Sequence, residues 1–229
     1  MNSSKNVNID QCKFHGFRYS EVKMFNKELI NIDGSDANSY GFNHIWSNGD
    51  KTTCNQVTIQ NCKFSGGGTG VGTHSYATVG KNQCYHTNIK ILNNSFYEMR
   101  YAGVRALNWK NAQICNNTFT RIGAQKINTL PPDYGTKYYG MYLQGVIHPT
   151  ICENTFNLCR MPFVIVSLTS MQKAQGVIYA DTKSDISGQN FLNNTLKQCR
   201  LNYYRVDSTS DSKSKTSEKY YFGEPPKNN

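Results

Sequence analysis

The stretch Ile89-Lys90-Ile91-Leu92-Asn93-Asn94-Ser95-Phe96 returns 23 residues later as Ala112-Gln113-Ile114-Cys115-Asn116-Asn117-Thr118-Phe119. It returns again as Pro149-Thr150-Ile151-Cys152-Glu153-Asn154-Thr155-Phe156, and looser copies end at Phe14, Phe64 and Leu196. A unit this short cannot bury its own apolar face, so the copies must stack on one another. Gaps between successive markers are 50, 32, 23, 37 and 40 residues. The shortest fits one bare rung of a solenoid, and the longer ones fit the same rung with insertions. Ahead of each marker the apolar residues alternate, as Val7/Ile9, Val57/Ile59 and Ile89/Ile91 do. Period two is a strand signal. The expected fold is therefore all-β: a right-handed single-stranded parallel β-helix, a solenoid with loop insertions. A leucine-rich repeat also uses asparagine ladders, but it would need leucine at fixed offsets and a more constant period.

The asparagine two before the marker has a job in such a fold. Asparagine tolerates left-handed backbone and hydrogen-bonds its neighbours at a bend. Stacking should align Asn94, Asn117, Asn154 and Asn194 as an internal ladder. The ladder also explains the Asn-x-Ser/Thr patterns at Asn93, Asn116 and Asn193 better than glycosylation does. Of the eight cysteines, Cys12 and Cys62 take the ladder position, and Cys115 and Cys152 stand four before the marker, where Leu92 stands in another copy. Cys159 and Cys199 follow it by three, as Met99 does. Cysteine packs as a small hydrophobe. These positions point to free thiols and synthesis in a reducing bacterial cytoplasm. No CxxC pair signals a zinc site, and neither a metal nor another cofactor is expected.

The chain has 25 basic and 15 acidic residues, a net charge of +10. That balance favours an anionic partner. The cations are scattered, without a basic helix or dense run, which argues against nucleic acid and membrane surfaces. No apolar run is long enough to span a bilayer, and the start, Met1 to Asn6, has no signal core. The expected organisation is a β-helix domain over 1–206 and a polar tail over 207–229. Because the repeat begins at Val7 with no preceding cap, the chain reads as a C-terminal fragment, or as one whose first rung another subunit covers.

After each marker a second strand aligns on a Gly-apolar start: Gly41 to Ile45, Gly70 to His74, Gly103 to Leu107 and Gly140 to Gln144. The apolar second residue should face inward and the third and fifth outward. That predicts one outer column of Asn43, Gly72, Arg105 and Tyr142, and a second of Ile45, His74, Leu107 and Gln144. With rungs about 4.8 Å apart, His74, Arg105 and Tyr142 would converge. They are the candidate catalytic residues, with Asn43, Asn108, Gln144, Trp109 and His148 as candidate substrate-binding residues. Glycoside hydrolysis needs two flanking carboxylates, which these columns lack. A uronic-acid lyase instead needs a cation on the C6 carboxylate, for which Arg105 is suited, and a base, for which His74 or Tyr142 is suited.

The segments Gly70 to Ser75, Tyr101 to Trp109 and Met141 to Thr155 resemble the pectate-lyase-like β-helix superfamily. Within it they look closest to bacteriophage tail-spike depolymerases, including capsule lyases that cut heparosan-type glycosaminoglycans. That resemblance spans about Val7 to Arg200 and implies a homotrimeric virion spike, or another extracellular location, with an acidic polysaccharide as substrate. The chain lacks the calcium-binding aspartate cluster of pectate lyases, which leaves a metal-free His/Tyr/Arg mechanism. The leading expectation is thus a polysaccharide lyase acting by β-elimination. Its rivals are a non-catalytic glycan- or receptor-binding β-helix and a glycoside hydrolase, and the superfamily hosts all of these activities.

Overall fold

The computed structural model describes residues 1, 3–16, 28–34, 52–73, 84–124, 139–166 and 191–201, and the backbone of 173–174, 177–178, 203–207 and 217–221. One rung can be followed without interruption. His86–Leu92 runs in a first sheet, Ser95–Tyr97 in a second and Ala102–Leu107 in a third. Bends at Asn93 (φ 56), Glu98 (φ 52) and Asn108 (φ 53) separate them. Each strand pairs in parallel with its equivalents one rung away, as Ile59↔Ile91↔Ile114↔Ile151 in the first sheet and Phe64↔Phe96↔Phe119↔Phe156 in the second. The three sheets contain seven, six and seven strands among the described residues. This is the right-handed parallel β-helix expected from the repeat.

The marker residue is the middle of each second-sheet strand, so its side chain points straight inward. Phe14, Phe64, Phe96, Phe119 and Phe156 stack face to face with centroids 4.8–4.9 Å apart and planes within 8–12°. The rung spacing sets that distance, and offset stacking adds about 0.5–1.5 kcal/mol per pair beyond burial. Leu196 ends the column, partly buried.

The bend between the first and second sheets divides its two tasks between two residues. The left-handed residue is three before the marker: Gln11, Asn61, Asn93, Asn116, Glu153 and Asn193 all have φ of 54–59°. The ladder residue is the next one, which corrects the expectation that one asparagine does both. The Asn117 Oδ1 accepts from the Asn94 backbone N–H at 2.9 Å and from Asn94 Nδ2 at 3.1 Å. Its own Nδ2 donates to the Ile91 carbonyl at 2.8 Å and to Asn154 Oδ1 at 3.0 Å. Asn194 closes the series by accepting from Asn154. Only a primary amide supplies an acceptor and two donors in this geometry. At the other end the Cys62 thiol stands in for it. It donates to the Gln60 carbonyl at 3.0 Å, and its sulfur accepts from the Cys12 N–H at 3.4 Å.

Free thiols were expected throughout, and one pair departs from this. Cys115 and Cys152 form a disulfide between neighbouring rungs, with Cα atoms 4.6 Å apart. They are register partners in adjacent first-sheet strands, and parallel pairing brings equivalent side chains within bonding reach. Disulfides form in oxidising compartments, and the expectation of free thiols fails at this pair. Cys12, Cys54, Cys62, Cys84, Cys159 and Cys199 are unpaired.

Candidate functional site

The third sheet carries the face where chemistry was expected. Its register places Gly72 beside Arg105, Arg105 beside Tyr142 and Tyr142 beside Val164. The next position on the other side is Asn31, because the strand paired with Thr69–Gly72 is Glu28–Asn31 and not Gly41 to Ile45. Asn43 and His74, together with Ile45, lie outside the described residues. The structure therefore brings Arg105 and Tyr142 together.

Both of those residues are engaged internally. The Arg105 Nη1 lies 3.4 Å from Glu28 Oε1, with the two side chains only 12% and 4% exposed. The guanidinium carbon also sits 6.0 Å from the centre of the Tyr101 ring, within cation–π range. Tyr142 donates its hydroxyl to Gln144 Oε1 at 3.1 Å, and its ring lies 6.1 Å from that of Tyr139. Leu107 and Gln144, expected to face outward, are both buried. The Tyr142 hydroxyl reaches Gln144 Oε1 two residues along the same strand, so the two share one face, and Leu107 lies outside the inner core cluster that takes Val104 and Ala106.

Three further candidates stand apart. Trp109 is fully buried and donates its indole N–H to Thr73 Oγ1 at 2.7 Å. Asn108 is buried at the bend in left-handed backbone. His148 is exposed, also left-handed (φ 46), just before Pro149. Behind Trp109, its register partner His86 is buried and takes the Cys54 backbone N–H on Nδ1 at 3.1 Å. Burial alone lowers the His86 pKa to about 4, so the ring is a neutral structural group.

A second face went unnoticed in the sequence. On the outside of the first sheet, three consecutive rungs carry a left-handed residue at one register position: Asn6, Gln56 and Asn88, with φ of 54–55°. A left-handed residue inside a strand bends it, and the bends align into a concavity of about 720 Å³. Two residues further along runs a parallel column of Asn8, Thr58, Lys90 and Gln113. No carboxylate among the described residues lines the concavity. The signal legible in the sequence was an amide two residues ahead of an outward polar position in each early copy; alternation alone gave no reason to expect a bend there.

No family model matches the chain. Plasmin and fibronectin-binding protein A of Streptococcus pneumoniae is 30% identical over 217 residues, covering 85% of this chain. The chain spans about 28% of that protein's length. A solved structure of the Streptococcus pneumoniae surface protein and adhesin PfbA aligns with a TM-score of 0.51 at 23% identity, over 90% of this chain and 51% of that one. That likeness shows the parallel β-helix fold. It supports neither a pectate-lyase nor a tail-spike membership. The relative is named for binding plasmin and fibronectin and the solved structure is titled an adhesin, which corrects the expectation of an enzyme. The acidic-polysaccharide partner is corrected as well, because the relative's name gives plasmin and fibronectin, both proteins. Both names belong to proteins of the bacterium Streptococcus pneumoniae, which corrects the expected phage virion.

Proposed function

We propose that this chain is a non-catalytic binding module of a bacterial surface or extracellular protein, and that it engages host protein through an outer face of the β-helix. The match to Plasmin and fibronectin-binding protein A across 85% of the chain carries this reading. Two structural features support it. Arg105 is committed to Glu28 and Tyr142 to Gln144, an arrangement that stiffens the face more than it poises a base. The Cys115–Cys152 disulfide suits an extracellular setting.

The test is retention on immobilised fibronectin and plasmin, measured by surface plasmon resonance with the folded chain in solution. Saturable binding to at least one of them is expected. Failure to retain either, with an intact β-sheet circular dichroism spectrum, would overturn the reading.

A further inference from the structure

We infer that the concave outer face of the first sheet is a binding site for a neutral, hydroxyl-rich oligosaccharide lying along the helix axis, one sugar residue per rung. The inference deepens the binding-module reading and rests on it. Its first support is the chemistry of the lining. The side chains of Asn6, Asn8, Gln56, Thr58, Lys90 and Gln113 make no hydrogen bond or ion pair with another described residue. Elsewhere in this fold amides are consumed in ladders, as Asn117 is by Asn94, Ile91 and Asn154. Here they present unspent donors and acceptors to a concave surface. Asn88 is held in place, donating to Asn55 Oδ1 at 3.1 Å, so one wall is preorganised.

The second support is charge. Among the described residues, one ammonium, that of Lys90, and no carboxylate face the concavity. Such a lining gives neither the cation cluster that a polyanion needs nor the acids that a basic peptide needs. Paired amide donors and acceptors match vicinal hydroxyls instead.

The third support is period. In the column of Asn6, Gln56 and Asn88 the amides repeat at the rung spacing of about 4.8 Å, close to the length of one pyranose residue. An extended peptide along the same axis repeats its side chains about every 6.6–6.8 Å and falls out of step after one rung. The groove has the wrong period for a peptide strand and the right one for a sugar chain.

The experiment probes an array of neutral oligosaccharides of three to five residues with the full chain, beside the fibronectin and plasmin surfaces. Thr58→Arg places a long side chain across the groove, and Gln56→Ala removes one outward amide. Both positions face outward on the first sheet, and circular dichroism checks that each variant folds. Binding of at least one neutral oligosaccharide is expected, abolished by Thr58→Arg and weakened about fivefold by Gln56→Ala, the loss of roughly one net hydrogen bond. Retention of fibronectin or plasmin with a blank array overturns the sugar site and leaves the module reading standing. Should Thr58→Arg then also abolish that protein retention, the groove takes a peptide, which equally overturns the inference. Glycan binding unchanged by Thr58→Arg moves the site elsewhere and overturns it too. Glycan binding that Thr58→Arg abolishes, with neither protein retained, upholds the groove and removes the protein partner.

Discussion

Gly103 lies against the ring of Phe119, one rung away, so closely that a β-carbon on it would sit 2.5 Å from both Cδ1 and Cε1. Gly70 meets Phe96 in the same way at 2.6 Å, and Gly140 meets Phe156 at 2.6 Å. None of these glycines has a positive φ, so space and not backbone freedom selects them. The two sequence signals, Asn-x-Phe and Gly-apolar, are thus halves of one packing unit: the phenylalanine of each rung fills the hollow left by the glycine of the rung before. Gly103→Ala should destabilise the fold by about 1–3 kcal/mol, the usual cost of overpacking a filled core. In urea unfolding, Gly103→Ala combined with Phe119→Leu should be less harmful than the sum of the single changes, because the smaller side chain vacates the contested space. Additive losses would mean that the two residues do not compete.

Neighbouring asparagines of the repeat should behave in opposite ways. Asn116 is exposed in left-handed backbone (φ 59), a conformation glycine adopts without strain. Asn116→Gly should therefore be neutral within about 0.5 kcal/mol. Asn117 is buried, and its loss strands the Asn94 N–H and the Ile91 carbonyl. Each stranded group costs about 1–3 kcal/mol, so Asn117→Ala should lower stability by at least about 2 kcal/mol. Chemical denaturation of the two variants side by side decides the matter, and similar losses would refute the division of labour at the bend.

This contrast shows what was legible in the sequence. Phe96 and Phe119, with the aliphatic pairs before them, set the period because inward residues repeat without exception; the fold and the ladder followed. Placing Gly103 and Gly140 beside Arg105 and Tyr142 was also possible, since those copies are close. The first copy misled because its insertion contains Gly41-Phe42, which imitates the strand start, whereas the strand actually paired is Glu28–Asn31. Glu28, the partner of Arg105, was invisible for the same reason: 77 residues separate them, and no repeat position marks the acid. The concavity at Asn6, Gln56 and Asn88 depends on backbone angles that alternation does not report.

The disulfide gives a prediction countable by mass. Under denaturing conditions without reductant, iodoacetamide should modify six of the eight cysteines, and all eight after reduction. The bond closes a loop of 37 residues, so chain-entropy arguments give it about 4 kcal/mol against the unfolded state. Thermal unfolding should therefore move to lower temperature in dithiothreitol, and Cys115→Ser should remove that sensitivity. Eight modified cysteines without reductant would show the pair to be unbonded.

His86 should govern part of the acid sensitivity. Its Nδ1 accepts the Cys54 N–H, which leaves the ring proton on Nε2, and that atom has no acceptor among the described residues. A second proton would have to enter a buried site and displace the Cys54 hydrogen bond. Burial accordingly lowers the pKa from 6.5 to about 4. Between those values the unfolded chain binds the proton and the folded chain does not, so stability rises with pH across this window. The contribution is complete above pH 6.5, is lost as pH falls toward 4, and amounts to about 3 kcal/mol. His86→Gln keeps an acceptor for Cys54 but does not titrate. Titrating groups shared by both proteins cancel when the two are compared. Urea midpoints at pH 7.5 and 4.5 should therefore fall further for the natural chain than for His86→Gln. Parallel falls would mean that the buried imidazole takes up no proton on unfolding, and that the acid sensitivity belongs to the carboxylates alone.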